Sequence, residues 1–222
     1  MKKIRVSEGK KFTPMVAEQI RSVAKAKEGS IRIGVPGGRG AAIVISALLT
    51  LEEAVIKRLV LYLVDERLKG ESNEQTLLTS GLQEAIENKR FKKEQLIIPS
   101  LQTPFFDFEG SFDLIYLGVG EDGHIASLFP GSYVQYDNKD TPFLIEIDNS
   151  PKPPLERVTI SYRGFREYAK SSEIYLMFFG EGKREAYSRF IGDGEDPNSL
   201  PSLFFVQNHF NTTVVTDLKE EQ

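Results

Sequence analysis

Asp122 and His124 are the two side chains whose types and spacing best suit acid–base chemistry. They follow the apolar run 114–117 and a glycine turn, which we expect to be a β-strand and the loop at its end. Imidazole exchanges a proton near neutral pH, and a carboxylate two residues away can orient the ring and stabilise its charged form. The pair indicates a general base, and a histidine that only fills the turn is the alternative. His209 has no such neighbour, and we interpret it as structural.

Three other polar or glycine-rich groups also follow expected strands. Gly37-Gly38-Arg39-Gly40 precedes a helical pattern, so its backbone N–H groups and the Arg39 guanidinium suit a phosphate, although a tight turn with a solvated arginine fits equally well. Asp65-Glu66-Arg67 is either a solvated loop or part of a site. Gly180-Glu181-Gly182-Lys183 offers a lysine at a helix start, without the spacing of a P-loop.

Two further patterns have weaker interpretations. Residues 118–123 match G-x-G-x-x-G, but only 125–129 are available for the helix that a dinucleotide needs, and Glu121 and Asp122 would repel a pyrophosphate. Residues 193–198 are acidic but lack the spacing of a calcium loop, so we interpret them as a surface turn.

Short β-branched runs alternate with helical patterns along the chain, which is typical of parallel βαβ units. We expect strands at 31–35, 59–64, 96–98, 114–117, 143–147, 158–161, 174–179 and 213–216. We expect helices that start at Thr13-Pro14 and that cover 41–55, 72–89 and 182–191, with a short helix at Tyr168. The sequence therefore predicts a single α/β domain over 1–222, with a mostly parallel, doubly wound (Rossmann-like) sheet flanked by helices. Ligands bind at the carboxyl ends of the strands in such sheets, which is where the polar groups gather.

The composition excludes several other chemistries. None of the 222 residues is a cysteine, so disulfides, thiolate metal sites and cysteine nucleophiles are absent. Lys plus Arg is 28 and Asp plus Glu is 32, and a net charge of −4 gives no general attraction to nucleic acid or anionic membrane. No G-x-S-x-G or H-E-x-x-H motif occurs, so a hydrolase here needs an activated water.

Membrane and export signals are also missing from the sequence. No apolar run approaches the ~20 residues that a membrane-spanning helix needs, and the basic N-terminus has no apolar stretch of signal-peptide length. We therefore expect a soluble cytoplasmic protein that binds neither nucleic acid nor membrane.

The run G-V-G-E-D-G-H-I-A-S-L-F-P-G at 118–131 resembles the signature of the 6-phosphogluconolactonase family. Three further stretches resemble that family's other motifs, in the family's order: Asp65-Glu66-Arg67 with Ser72-Asn73, Ser150-Pro151-Lys152-Pro153-Pro154 with Arg157-Val158-Thr159, and Gly180-Glu181-Gly182-Lys183. The resemblance spans about 31–183. It implies a fold shared with glucosamine-6-phosphate deaminases and ribose-5-phosphate isomerases. It also implies hydrolysis of 6-phospho-D-glucono-1,5-lactone to 6-phosphogluconate in the oxidative pentose phosphate pathway, with no metal and no cofactor. Apart from the resemblance, we expect the protein to be a monomer.

The same resemblance assigns roles to particular residues. It implies that His124 activates water, with Asp122, Asp65 and Arg67 as the other catalytic residues and with Asp65 and Arg67 at the sugar end. The substrate- and phosphate-binding residues that it implies are Gly37, Gly38, Arg39, Gly40, Asn73, Lys152, Arg157 and Lys183. Two features depart from the family: its first loop usually reads S-G-G-S-T-P, against Pro36-Gly37-Gly38-Arg39-Gly40-Ala41 here, and 99–112 is too short for the usual helix.

Two other functions stay open on the sequence. One is a sugar-phosphate isomerase or deaminase, and the other is a non-catalytic sugar-phosphate-binding domain. Deaminases resemble this chain through the Asp-Gly-His turn, but their glutamate falls here at Phe129, which we expect to pack beneath the turn. A sensor is expected to carry a DNA-binding segment, and the chain has no basic recognition helix.

Overall fold

A computed structural model of the chain describes residues 2–219, in which seven parallel strands form one sheet. In spatial order the strands are β1 (Lys2–Arg5), β10 (Thr212–Thr216), β9 (Glu173–Phe178), β6 (Leu114–Gly118), β2 (Ile31–Val35), β3 (Leu59–Leu63) and β5 (Leu96–Ile97). Every neighbouring pair is parallel, which confirms the predicted sheet. Strand β1 was not predicted, because its burial pattern is mostly exposed and lacks an apolar run.

Three more strands form a separate antiparallel sheet, in the order β4 (Asp65–Arg67), β8 (Arg157–Ile160) and β7 (Leu144–Ile147). The strands predicted at 143–147 and 158–161 are thus present. These strands do not join the parallel sheet. Strand β4 begins one residue after β3 and pairs with β8 in the antiparallel direction instead. This small sheet carries Asp65 and Arg67 beyond the end of β3.

Helices cover both faces of the large sheet within 2–219. They are α1 (Thr13–Ala26), α2 (Gly38–Leu48), α3 (Glu53–Ile56), α4 (Asn73–Leu77), α5 (Gln83–Glu87), α6 (Tyr133–Tyr136), α7 (Tyr162–Tyr168), α8 (Arg184–Ile191) and α9 (Phe204–Gln207). A π-helical turn at Leu78–Leu82 joins α4 to α5, and 3₁₀ turns lie at Gly9–Phe12, Lys93–Gln95, Glu181–Lys183 and Pro201–Leu203. No helix in this part of the chain is both long enough and apolar enough to cross a bilayer.

Alternate residues of each strand point to opposite faces and build two cores. Ile31 and Ile33 of β2 pack with α1 and α2 on one face, whereas Ile115 and Leu117 of β6 pack with α7 and α8 on the other. The central strands β3 and β6 are buried on both sides, so their sequences are almost continuously apolar.

The helix predicted over 41–55 is two helices, because α2 ends at Leu48 and α3 begins at Glu53. The carbonyls between them accept side-chain donors instead of helical ones: Arg90 donates to Leu49 O at 3.1 Å and Arg21 to Thr50 O at 3.1 Å. Apolar periodicity alone does not reveal these two distant guanidinium groups.

Residues 98–113 contain no helix, as their length predicts, and aromatic side chains cover the sheet there instead. The Phe106 and Tyr168 rings stack with centroids 3.9 Å apart, and Phe112 meets Tyr62 edge-on at 5.3 Å. The rings thus replace a helix as the cover of this face.

Candidate active site

The strand order places a crevice at the carboxyl ends of β2 and β6. From β2 the chain moves outward to β3 and β5, then returns to the other side of β2 at β6 and moves outward again to β9 and β10. Such a reversal separates the loops that leave adjacent strands, and ligands bind there. A cavity of about 270 Å³ opens at this point.

The cavity collects the residues that the sequence singled out. All of the predicted site residues line it except Asp122 and Lys152: Gly37, Gly38, Arg39, Gly40, Asp65, Arg67, Asn73, His124, Arg157 and Lys183. The apolar part of its wall includes Val64, Leu117, Ala126, Met177 and Phe179. Their assembly does not itself test the role of each residue, so those roles stay predictions.

Asp122 and Lys152 lie behind His124 rather than on the cavity wall. His124 Nδ1 is 2.5 Å from Asp122 Oδ1, and Lys152 Nζ is 3.1 Å from the same oxygen. Burial alone would raise the pKa of Asp122, but the hydrogen bond and charge of His124, together with Lys152, hold that pKa well below its usual range. The carboxylate engages one ring nitrogen, and Nε2 is left for chemistry in the cavity.

The loop after β6 fixes His124 through close contacts. A Cβ on Gly120 would lie 2.0 Å from His124 Nδ1, so only glycine leaves room for the ring. The Gly120 N–H donates to His124 O at 2.8 Å and closes the turn. Phe129 is 5% exposed and its ring centroid is 4.6 Å from that of His124. This confirms the prediction that Phe129 packs beneath the turn.

A second, buried network holds the sugar end that the resemblance implies. The Ser127 hydroxyl donates to Asp65 Oδ2 at 2.7 Å and accepts from Arg157 Nη1 at 3.3 Å. Ser127 N–H donates in turn to Thr159 Oγ1 at 3.2 Å. Burial raises the pKa of Asp65, an effect that Ser127 and Arg157 oppose. Asp65 therefore has a fixed orientation toward the cavity.

Arg157, which the resemblance implies is a phosphate ligand, uses most of its N–H groups in hydrogen bonds to other residues of the chain. Its guanidinium donates to the carbonyls of Lys152, Pro153 and Pro154 and to Ser127. Four of its five N–H groups are thereby used. Arg157 mainly ties the 150–157 loop to the Asp65 network, and one N–H remains for a ligand.

Glu66 and Ser127 are functional candidates that the sequence reasoning did not select. Glu66 is 6% exposed and accepts from Asn73 N at 2.7 Å and from Glu74 N at 2.8 Å, so it fastens β4 to the start of α4. The signal for Ser127 was its place in the family-like run 118–131. Glu66 is one of three consecutive charged residues in Asp65-Glu66-Arg67, and no local sequence pattern distinguishes a buried glutamate there from a solvated one.

The cavity wall also carries two cations, Arg39 and Lys183, with little anionic charge to balance them. Arg39 is 75% exposed, and its Nη2 is 3.8 Å from the carboxylate of Glu121. Lys183 is half-buried, and its ammonium group forms neither a hydrogen bond nor an ion pair with residues 2–219. Burial lowers the pKa of Lys183, and Arg39 lowers it further. An anion bound at the start of α2 would favour the charged form of Lys183.

Arg67 reaches the cavity from β4. Its Nη1 donates to Glu71 O at 3.0 Å, whereas its Nε is buried and has no hydrogen-bond partner. Within 2–219, no group of three or more His, Asp or Glu side chains could hold a metal ion.

A profile of the family described as glucosamine-6-phosphate isomerases/6-phosphogluconolactonase matches residues 9–215. The chain is 39% identical over 92 residues to the 6-phosphogluconolactonase of Mycobacterium tuberculosis, across 41% of this chain and 35% of that protein. It is 27% identical over 212 residues to the 6-phosphogluconolactonase of Borreliella burgdorferi, across 88% of this chain and 87% of that protein. The chain thus spans about a third of the mycobacterial relative and most of the Borreliella one.

Two solved structures have the same fold. The 6-phosphogluconolactonase of Thermotoga maritima superposes with a TM-score of 0.67 at 21% identity, over 97% of this chain and 98% of that chain. That of Shewanella baltica superposes with a TM-score of 0.72 at 22% identity, over 97% and 95% of the two chains.

Substitution of Gly37 tests whether the turn after β2 depends on close packing. A Cβ there would lie 2.1 Å from Asn73 Oδ1, and the Asn73 amide also donates to Asp65 O at 3.0 Å. Gly37→Ala is expected to displace Asn73 and lower the free energy of unfolding by ~1–3 kcal/mol, the usual cost of overpacking. Urea unfolding measures this. Gly118→Ala is the control, because its Cβ has no neighbour within 4 Å. Equal stability of Gly37→Ala and wild type would contradict the packing argument.

Proposed function

The chain belongs to the family of glucosamine-6-phosphate isomerases and 6-phosphogluconolactonases, and on that premise we propose that it hydrolyses 6-phospho-D-glucono-1,5-lactone to 6-phospho-D-gluconate. The observation that carries the proposal is a single cavity lined by an Asp122-bound histidine and by two cations, Arg39 and Lys183, of which only Arg39 has a carboxylate of residues 2–219 within 4 Å. The mycobacterial and Borreliella relatives carry the name 6-phosphogluconolactonase. The reaction belongs to the oxidative pentose phosphate pathway.

His124 is the general base in this proposal. Its Nε2 takes a proton from water while the water oxygen attacks the lactone carbonyl carbon. The tetrahedral intermediate then expels the ring oxygen, which receives the proton from the imidazolium, and the carboxylic acid ionises. Asp122 accepts from Nδ1 and stabilises the charged ring between the two steps. Water and one base suffice, and the scheme calls for no cofactor.

We assign the developing oxyanion to Arg67. The backbone N–H groups of Gly120 and Gly123 are the other donors near His124, but they donate to His124 O and Gly120 O within the turn. Arg67 lines the cavity, and within residues 2–219 its guanidinium donates only one hydrogen bond, from Nη1 to Glu71 O, so it keeps N–H groups for a negative charge that appears during the reaction. Asp65 accepts hydrogen bonds from sugar hydroxyls beside it.

The phosphate of the substrate binds between the start of α2 and the turn before α8. Arg39 and Lys183 supply positive charge there, and residues 37–40 expose backbone N–H groups. Because this group lies far from the reacting carbon, it orients the ring for attack rather than taking part in the chemistry. Arg39 takes the place of a hydroxyl residue of the family's usual loop.

Phe129 disfavours deamination as the reaction. The phenyl ring lies against the His124 ring, where it can neither accept a proton nor make a charged hydrogen bond. Deamination begins with ring opening and transfer of a C2 proton, whereas lactone hydrolysis needs only water and a base. A location in the cytoplasm, a monomeric state and the absence of a nucleic-acid partner remain expectations from the sequence.

The choice of reaction is tested with purified protein and two substrates. Freshly prepared 6-phosphogluconolactone is expected to open faster than its spontaneous hydrolysis, while glucosamine 6-phosphate releases no ammonia. Acid release in a pH-stat and coupled ammonia detection measure the two outcomes, with heat-denatured protein as the control. Ammonia production above that control, or no acceleration with the lactone, would overturn the proposal.

Replacing the base gives a second test. His124→Ala is expected to lower kcat by ~10²–10⁴-fold, the usual contribution of general base catalysis. His209→Ala is the matched control, because His209 is exposed and does not line the cavity. Its backbone N–H donates to Val206 O. The assignment fails if folded His124→Ala protein turns over the lactone at the wild-type rate.

Removal of Lys183 tests the phosphate end. A charge-assisted contact contributes ~1.5–3 kcal/mol, so Lys183→Ala is expected to raise KM by roughly 10- to 100-fold with little change in kcat. The affinity for 6-phosphogluconate, measured by isothermal titration calorimetry, should fall in parallel. The affinity for gluconate, which has no phosphate, should not change. Lys57→Ala, which removes an exposed lysine paired with Glu53, is the control. Unchanged affinity of Lys183→Ala for 6-phosphogluconate would show that Lys183 is not a ligand.

A further inference from the structure

Residues 196–203, which join α8 to α9, pack directly on the loop that carries His124. We propose that this stretch, called here the clamp segment, positions the catalytic histidine, with Leu200 as its main positioning residue. The kinetic part of the inference rests on the proposed function, because it needs turnover as a readout. The geometric part is independent of the reaction.

Two backbone hydrogen bonds join the clamp segment to opposite ends of the histidine loop. The Ser202 N–H donates to Gly123 O at 3.0 Å, and the Gly131 N–H donates to Asn198 O at 2.7 Å. Gly123 directly precedes His124, and Gly131 closes the same loop. The clamp segment therefore sets the distance between the two ends of the loop.

Leu200 fills the space between these two bonds. It is fully buried, and its Cδ1 lies only 2.1 Å from the position that a Cβ on Gly123 would occupy. Gly123 has a φ of +85°, in the left-handed region that favours glycine. The leucine methyl thus packs against the Gly123 backbone and holds this conformation, from which the His124 side chain projects.

The clamp segment is anchored independently of the histidine loop. Asp196 Oδ1 accepts from Ser199 N at 2.9 Å and from Ser199 Oγ at 2.8 Å. Arg189 of α8 donates to Ser199 O at 3.1 Å, and it also holds Glu195 at 2.6 Å. Acidic residues that the sequence indicated only as a surface turn therefore brace the segment.

Proton transfer to His124 requires a precise position of the ring, so small displacements of His124 lower the reaction rate. A displacement of about 1 Å, even from a change outside the chemistry, can lower a rate by roughly 10²-fold. The phosphate end contains no residue of the clamp segment, so loosening the clamp should affect turnover and leave product binding unchanged.

The experiment compares Leu200→Ala with two matched variants. Leu59→Ala removes an equally buried leucine from the other core, and Ser202→Ala removes a buried hydroxyl of the clamp segment that has no partner. Leu200→Ala is expected to lower kcat by ~10-fold or more, with 6-phosphogluconate affinity within about twofold of wild type. Both control variants should retain kcat. Leu200→Met, which conserves volume, should keep most of the rate. If Leu200→Ala does not fold, the smaller truncation Leu200→Val takes its place, with a smaller loss of kcat in the same direction.

Ring ¹⁵N NMR supplies a readout that does not need turnover. The chain has two histidines, so His209 is an internal reference for His124. Leu200→Ala should shift the His124 ring signals and leave those of His209 in place, whereas Leu59→Ala should shift neither. The inference is overturned if Leu200→Ala leaves both kcat and the His124 ring signals as in wild type. It is also overturned if Leu59→Ala lowers kcat as much as Leu200→Ala does. If wild-type protein does not hydrolyse the lactone, the proposed function fails, and the NMR comparison alone then decides the inference.

Discussion

The contact between His124 and Asp122 is the constraint on which the other parts of the cavity depend. The two side chains are 2.5 Å apart, and the imidazole fills the space in which any residue but glycine at position 120 would carry a Cβ. A ring held this closely has one orientation, so the remaining groups must be brought to it. The strand order achieves this, because β2 and β6 are neighbours and the 37–40 turn and the histidine loop leave the sheet side by side.

The antiparallel sheet brings Asp65 and Arg157 near the His124 ring at a cost in free energy. Burial raises the pKa of Asp65 and lowers that of Arg157, and both shifts reflect loss of hydration. A buried pair of this kind contributes little net stability, but the Ser127 hydroxyl between them fixes how each is oriented. The pairing of Asp65 with Thr159 across β4 and β8 gives this network a rigid backbone. The small sheet is therefore best explained by orientation rather than by stability.

The sequence predicted those parts of the molecule that local periodicity or strand ends determine. Parallel strands such as β3 and β6 contain no charged residue, and the polar groups after them do meet at one edge of the sheet. The break between α2 and α3, the pairing of β4 with β8 and the place of Lys152 on Asp122 were not predictable. Each depends on a contact between residues far apart in sequence, which no spacing rule records.

The two ends of the cavity differ in how firmly their side chains are held, and the chemistry proposed for them accounts for the difference. Proton transfer requires heavy atoms at about 3 Å, so the histidine loop is packed without spare room and keeps its family-like sequence. Attraction between charges falls off slowly with distance, so a phosphate tolerates a mobile partner. Arg39, the phosphate ligand in the proposed function, is 75% exposed and 3.8 Å from its nearest carboxylate, so its own contacts hold it only loosely. The chain accordingly departs from its family's usual loop at the end where loose contacts suffice.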